Sequence, residues 1–126
     1  MKSPDELLAL VRPDRRNSLL IRHAERPEIP EGEIGNDISI TEAGRLASVA
    51  FGQKIGKRLG RIVSSPVLRC VQTAEAIVEG AGLSAARSIE TSCLLGDPGV
   101  WVVDCESAWK AFLEYGPEGV VKRQLA

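Results

Sequence analysis

Arg61-Ile62-Val63-Ser64-Ser65 is a short apolar-centred run that leads through Pro66 into a helical arc, and this unit constrains the fold more than any other stretch. The run is too short for a helix and ends in a turn signal, so it predicts a strand. Pro66 suits the first turn of a helix capped by Ser65. Cys70, Val71, Ala74, Ile77 and Val78 fall on one arc at helical spacing, which predicts packing against a sheet. Arg69 lies off that arc, one turn from the helix start, where it reaches over the strand ends. A helix N-terminus and an arginine together favour an anion. Gly80 and Gly82 end the helix.

A second unit lies upstream. In the stretch 18–22 the apolar run Leu19-Leu20-Ile21 is bounded by polar residues and predicts a buried strand. At its end stand Arg22, His23 and Arg26, two guanidinium groups around the only histidine of the chain. Arginine is always charged, and its planar fork matches phosphate oxygens two at a time. An imidazole between two cations tends to lose its proton, and a neutral imidazole nitrogen is a nucleophile. The cluster is suited to holding a phosphoryl group against a nitrogen that attacks it. An Arg-His pair at a strand end also fits a solvated loop; the second cationic turn, at Arg69, favours the site.

The remaining chain fills in around these two units. Ser3-Pro4-Asp5-Glu6 reads as a capping box, and Leu7, Leu8 and Val11 make a short amphipathic helix that stops before Pro13. The Pro-, Gly- and Glu-rich segment 27–36 predicts a loop beside the cationic cluster, either a source of substrate contacts or simply solvated. Thr41 caps the next helix, whose apolar side is Leu46, Ala47, Ala50, Phe51 and Ile55 and which Gly56 and Gly60 end. Residues 88–91 predict a third strand, 93–99 a segment ending in a turn, and 100–103 a further short strand. Asp104 caps a helix over 105–115 with Trp109, Phe112 and Leu113 as apolar anchors. Gly116-Pro117 breaks it, and 118–126 begins another.

Strands alternating with helices imply crossovers and a mainly parallel sheet flanked by helices, an α/β fold. In such sheets ligands bind beyond the carboxyl ends of the strands. Both His23 and the Ser65–Arg69 turn occupy such ends, which draws three arginines and one histidine toward one crevice.

Composition narrows the function classes. At 126 residues the chain is one domain spanning 1–126. A net charge of −1 and a pI near 5.9 argue against a nucleic-acid binder, which usually carries a basic face. No apolar run is long enough to span a membrane, and charges interrupt the N-terminal stretch where a signal peptide needs its apolar core. Cys70, Cys93 and Cys105, an odd count without metal-ligand spacing, predict reduced thiols in a cytoplasmic compartment and no zinc site; Cys70 is expected in the core.

Arg22-His23-Ala24-Glu25-Arg26, then Ile40-Thr41-Glu42-Ala43-Gly44, then Ser64-Ser65-Pro66-Val67-Leu68-Arg69-Cys70-Val71-Gln72-Thr73-Ala74 resemble, in this order, the histidine phosphatase superfamily. The resemblance covers roughly residues 18–82. It implies a three-layer α/β/α, phosphoglycerate mutase-like fold and a phosphomonoesterase that needs no metal or cofactor. By that resemblance His23 forms a phosphohistidine intermediate, and Arg22, Arg26 and Arg69 bind the phosphoryl oxygens and stabilise charge in the transition state. The substrate is then a phosphorylated small molecule or a phosphoprotein. A mutase is disfavoured because no basic insertion is present to grip a doubly phosphorylated sugar acid, and the acidic 27–37 loop disfavours highly anionic substrates.

The chain departs from the pattern in two respects. The superfamily places a second histidine late in the chain, and this sequence has only His23. The general acid has no clear counterpart; Asp97 is the best local candidate, although an Asp before Pro-Gly is also an ordinary turn former. Glu25 reads as an exposed charge or an arginine partner. The expectation from these departures is a domain incomplete at its C-terminal end. The alternative is a phosphate-binding domain with weak or no turnover, its open sheet edge pairing with a second copy as a homodimer.

Overall fold

The computed structural model describes residues 3–83, 89–96 and 103–124. Helix α1, Pro4–Ala9, starts on the capping box: the Ser3 hydroxyl accepts from the Glu6 amide at 3.3 Å, and the Glu6 carboxylate accepts from the Ser3 amide at 2.6 Å. Helix α2, Glu42–Ile55, starts on Thr41, whose hydroxyl accepts from the Gly44 amide at 3.0 Å. It stops at Gly56, whose positive φ of 55° is unfavourable for residues with a side chain.

Strand β1 is Val63–Ser64, followed by helix α3, Leu68–Gly80, and strand β2, Glu90–Thr91. β1 and β2 pair in parallel, with Val63 opposite Glu90 and Ser64 opposite Thr91. The pairing extends by one bond on each side, from the Glu90 amide to the Ile62 carbonyl and from the Ser92 amide to the Ser64 carbonyl. The chain thus has helices and a small parallel two-stranded sheet, an α/β arrangement.

The main packing is α2 against α3. The buried positions of α2 are Gly44, Ser48 and Gly52, four residues apart and all small. On α3 they are Thr73, Ala74, Ala76, Ile77 and Val78. The backbones approach closely: a Cβ on Gly52 would run into the Ile77 carbonyl, and one on Gly80 into the Val49 carbonyl. This corrects the expected apolar side of α2. Leu46 is 55% exposed, and Ala47 and Ala50 face solvent with it, because tight contact between helices selects small residues rather than large apolar ones.

Three further expectations are corrected. The run 18–22 is not a strand and is not buried; Leu20 is 88% exposed. A strand needs a neighbour to satisfy its backbone, and among the described residues the only ladder is β1 with β2. Ser65 does not cap α3. Its hydroxyl accepts from the Val67 amide at 3.3 Å, closing a local turn, so the helix begins with Leu68 and Val67 takes the cap position. Cys70 is half-buried rather than fully in the core.

Helix α4, Cys105–Gln124, begins where Asp104 accepts from the amides of Glu106 and Ser107, and it is interrupted at Gly116 (φ 66°, ψ 174°). Both the cap and the break match the sequence reading. Two of the three apolar anchors do not: Phe112 and Leu113 are exposed, while Trp109 is half-buried and stacks on Phe112 at 5.5 Å. The short strand expected over 100–103 falls mostly outside the described residues; Val103, within them, is exposed. Among the described residues, no helix is long and apolar enough to cross a membrane.

Candidate active site

The segment 23–26 is irregular backbone, and two helices hold it. From α3, the Thr73 hydroxyl accepts the Ala24 amide at 2.9 Å. From the start of α2, the Thr41 amide donates to the Glu25 carbonyl at 2.8 Å, and the Thr41 hydroxyl donates to the Glu25 carboxylate at 2.9 Å. Gly44 completes the fit, since a Cβ there would lie 2.6 Å from the Glu25 carbonyl oxygen. Glu25 therefore serves as a polar anchor on Thr41.

His23 is half-buried, and its Nδ1 lies 2.7 Å from the Ala24 carbonyl oxygen. A carbonyl only accepts, so Nδ1 carries the proton and donates, which leaves the lone pair of the neutral ring on Nε2. Burial holds the His23 pKa below its ordinary value. The charges of Arg69, Arg22 and Arg26 push it the same way, against the smaller opposing effect of the Ala24 hydrogen bond than that of burial. All three arginines thus act on the charge of His23.

These guanidinium groups differ from those of Arg45 and Arg61. Arg45 and Arg61 are ion-paired with Glu42, Glu79 and Glu90. Among the described residues no carboxylate lies within ion-pair distance of Arg22, Arg26 or Arg69. Arg26 donates from Nη1 to the Pro27 carbonyl at 2.7 Å, and Arg69 from Nη1 to the Gly35 carbonyl at 2.7 Å. In both, Nε is buried without an acceptor. Unpaired, partly desolvated positive charge of this kind draws an anion strongly.

The Arg69–Gly35 bond also ties the 27–36 loop to α3. Gly35 is buried against Ile29 and has a φ of 68°, so a side chain there is both strained and obstructed. Gln72 adds a second tie, accepting from the Ile40 amide at 3.0 Å and donating to the Ser39 hydroxyl at 3.2 Å. The loop beside the cluster is therefore fastened to the helix that carries Arg69.

Of the residues expected in the site, His23, Arg22, Arg26 and Arg69 are brought together, whereas Asp97 lies outside the described residues. Among the described residues no group of acidic, cysteine or histidine side chains is arranged to hold a metal ion. Sequence reading missed Thr73 and Gly44 as supports of the His23 segment. The available signal for Thr73 was a hydroxyl set within the apolar arc of α3, and for Gly44 a glycine three residues after a helix cap.

The arrangement is a cluster of positive charge around one imidazole. A family model, that of the histidine phosphatase superfamily (branch 1), matches residues 18–91, which include all four clustered residues. The chain belongs to this superfamily. No curated protein matches the chain significantly.

Proposed function

We propose that the protein is a phosphatase that hydrolyses a phosphomonoester through a phosphohistidine on His23. The observation that carries this reading is the imidazole with Nδ1 anchored to the Ala24 carbonyl and its lone pair on Nε2, beside three arginines with no carboxylate partner among the described residues. In the first step the Nε2 lone pair forms a bond to phosphorus as the ester P–O bond breaks. The leaving oxygen takes a proton from a general acid, for which Asp97 is the proposed residue. Arg22, Arg26 and Arg69 bind the phosphoryl oxygens as charge shifts among them. Water then attacks phosphorus and returns a proton to the carboxylate of the general acid, the P–N bond breaks, and inorganic phosphate leaves with the imidazole regenerated. The chemistry is positioning and electrostatics, so the residues named supply it without a metal.

The substrate is a monoester with little additional negative charge, a small molecule or a phosphorylated protein side chain. Glu28, Glu31, Glu33 and Asp37 are exposed on the tethered loop and repel highly anionic substrates. The exposed free thiols of Cys93 and Cys105 fit a reducing, cytoplasmic setting. The superfamily's three-layer arrangement is the proposed setting of this site, with β1, α3 and β2 as one of its parallel units.

The single histidine favours a second reading, in which the same arginines hold a phosphoester without turning it over. Phosphate release from para-nitrophenyl phosphate, measured beside the His23→Ala variant, separates the two. Release that depends on His23 supports the phosphatase. Saturable binding of inorganic phosphate with no release supports the binding domain and overturns the phosphatase reading.

A further inference from the structure

Thr73 is 6% exposed and makes two hydrogen bonds through one hydroxyl. It donates to the Arg69 carbonyl at 2.7 Å and accepts from the Ala24 amide at 2.9 Å. The first bond is a local one, four residues back along α3. The second crosses to a segment 49 positions away in sequence. The hydroxyl therefore joins the backbone of Arg69 to the backbone of the residue after His23. Ala24 is also the residue whose carbonyl receives the His23 Nδ1 proton. An error in the setting of Ala24 moves the acceptor that fixes the imidazole.

We infer that Thr73 is a positioning residue for the reaction proposed above: through its hydroxyl it sets the His23 tautomer and the placement of the imidazole against Arg69. The inference rests on that reading for its catalytic meaning, but its structural content concerns Ala24, His23 and Arg69 alone. A valine at this position keeps the β-branched shape and loses both bonds. The Ala24 amide is then left without its acceptor, and its carbonyl is no longer held under Nδ1. The conservative change to serine keeps the hydroxyl and its two bonds.

The test uses the full chain and the fact that His23 is its only histidine, so that every imidazole signal in a nitrogen-15 NMR spectrum belongs to it. In the parent chain the spectrum is expected to show the Nδ1–H tautomer. Thr73→Val is expected to give a mixture of tautomers and about tenfold weaker binding of inorganic phosphate, the size of losing one buried hydrogen bond. Thr73→Ser is expected to restore both. A Thr73→Val chain that keeps the parent tautomer and phosphate affinity, with only a lower melting temperature, would show a merely structural residue and overturn the inference. Thr73→Ala, which adds no bulk and favours the helix, gives the same readout if the valine variant does not fold. A parent chain without phosphatase turnover would sink the proposed reaction yet leave the tautomer comparison intact, so the two failures are separable.

Discussion

The Nδ1 of His23 donates to the carbonyl of Ala24, its own neighbour in sequence, at 2.7 Å. The bond settles which ring nitrogen is free: Nε2 keeps its lone pair while the ring is neutral. Burial and the charges of Arg69, Arg22 and Arg26 then favour that neutral form.

A pH dependence with a definite sign follows. Because the folded-state pKa of His23 is lowered, the unfolded chain takes up a proton first as the pH falls through the ordinary imidazole range near 6.5. His23 thus contributes stability that is complete above that range and is lost as the pH falls toward the lowered value. The activity profile follows the same group, with the nucleophile remaining neutral to a more acidic pH than a free imidazole. NMR titration of the single imidazole checks this; a pKa at or above the ordinary value contradicts it.

Arg69→Ala removes a guanidinium that is fixed on the Gly35 carbonyl and has no carboxylate partner among the described residues. It is expected to weaken binding of inorganic phosphate by roughly 2–4 kcal/mol, as loss of a desolvated charge-assisted contact does. Calorimetric titration reads the change directly, and unchanged affinity would mean that phosphate binds elsewhere.

The contact between α2 and α3 depends on two glycines. Gly52→Ala or Gly80→Ala places a methyl against a backbone carbonyl and is expected to destabilise the chain by roughly 1–3 kcal/mol. Gly60→Ala, with open space around it, is expected to be neutral or slightly stabilising. Urea unfolding of the three variants side by side provides the check. Equal midpoints for all three would mean the helices do not pack this closely.

Thr41 both caps α2 and holds Glu25. Thr41→Ala is expected to cost about 1 kcal/mol in unfolding free energy from the lost cap. It is also expected to lower phosphate affinity by loosening the segment that carries His23 and Arg26. A stability loss with phosphate affinity unchanged would confine Thr41 to its capping role.

Which features were legible in the sequence follows from the range of the forces involved. The capping box at Ser3, the cap at Thr41 and the cap at Asp104 are contacts within three or four residues, and each forms as read. The nearness of Arg22 and Arg26 to His23 follows from their places beside it in the chain, whereas the approach of Arg69 depends on how α3 packs against the His23 segment, which the sequence does not spell out. The run 19–21 was misread because being apolar does not by itself provide a neighbouring strand. The α2 face was misread because periodicity scores large apolar residues, whereas close approach selected Gly44, Ser48 and Gly52. Thr73 is not legible because a hydroxyl within an apolar arc looks like a break in the pattern until its partner Ala24, distant in sequence and near in space, is known.

The measurement that bears most directly on the central claim is chemical trapping of the intermediate. The full chain is mixed with a phosphorus-32-labelled aryl phosphate, quenched in alkali and analysed for protein-bound label. The account predicts an acid-labile, alkali-stable phosphoryl group on His23 that is absent from His23→Ala. Label that survives acid, or that persists in the His23→Ala chain, would contradict it.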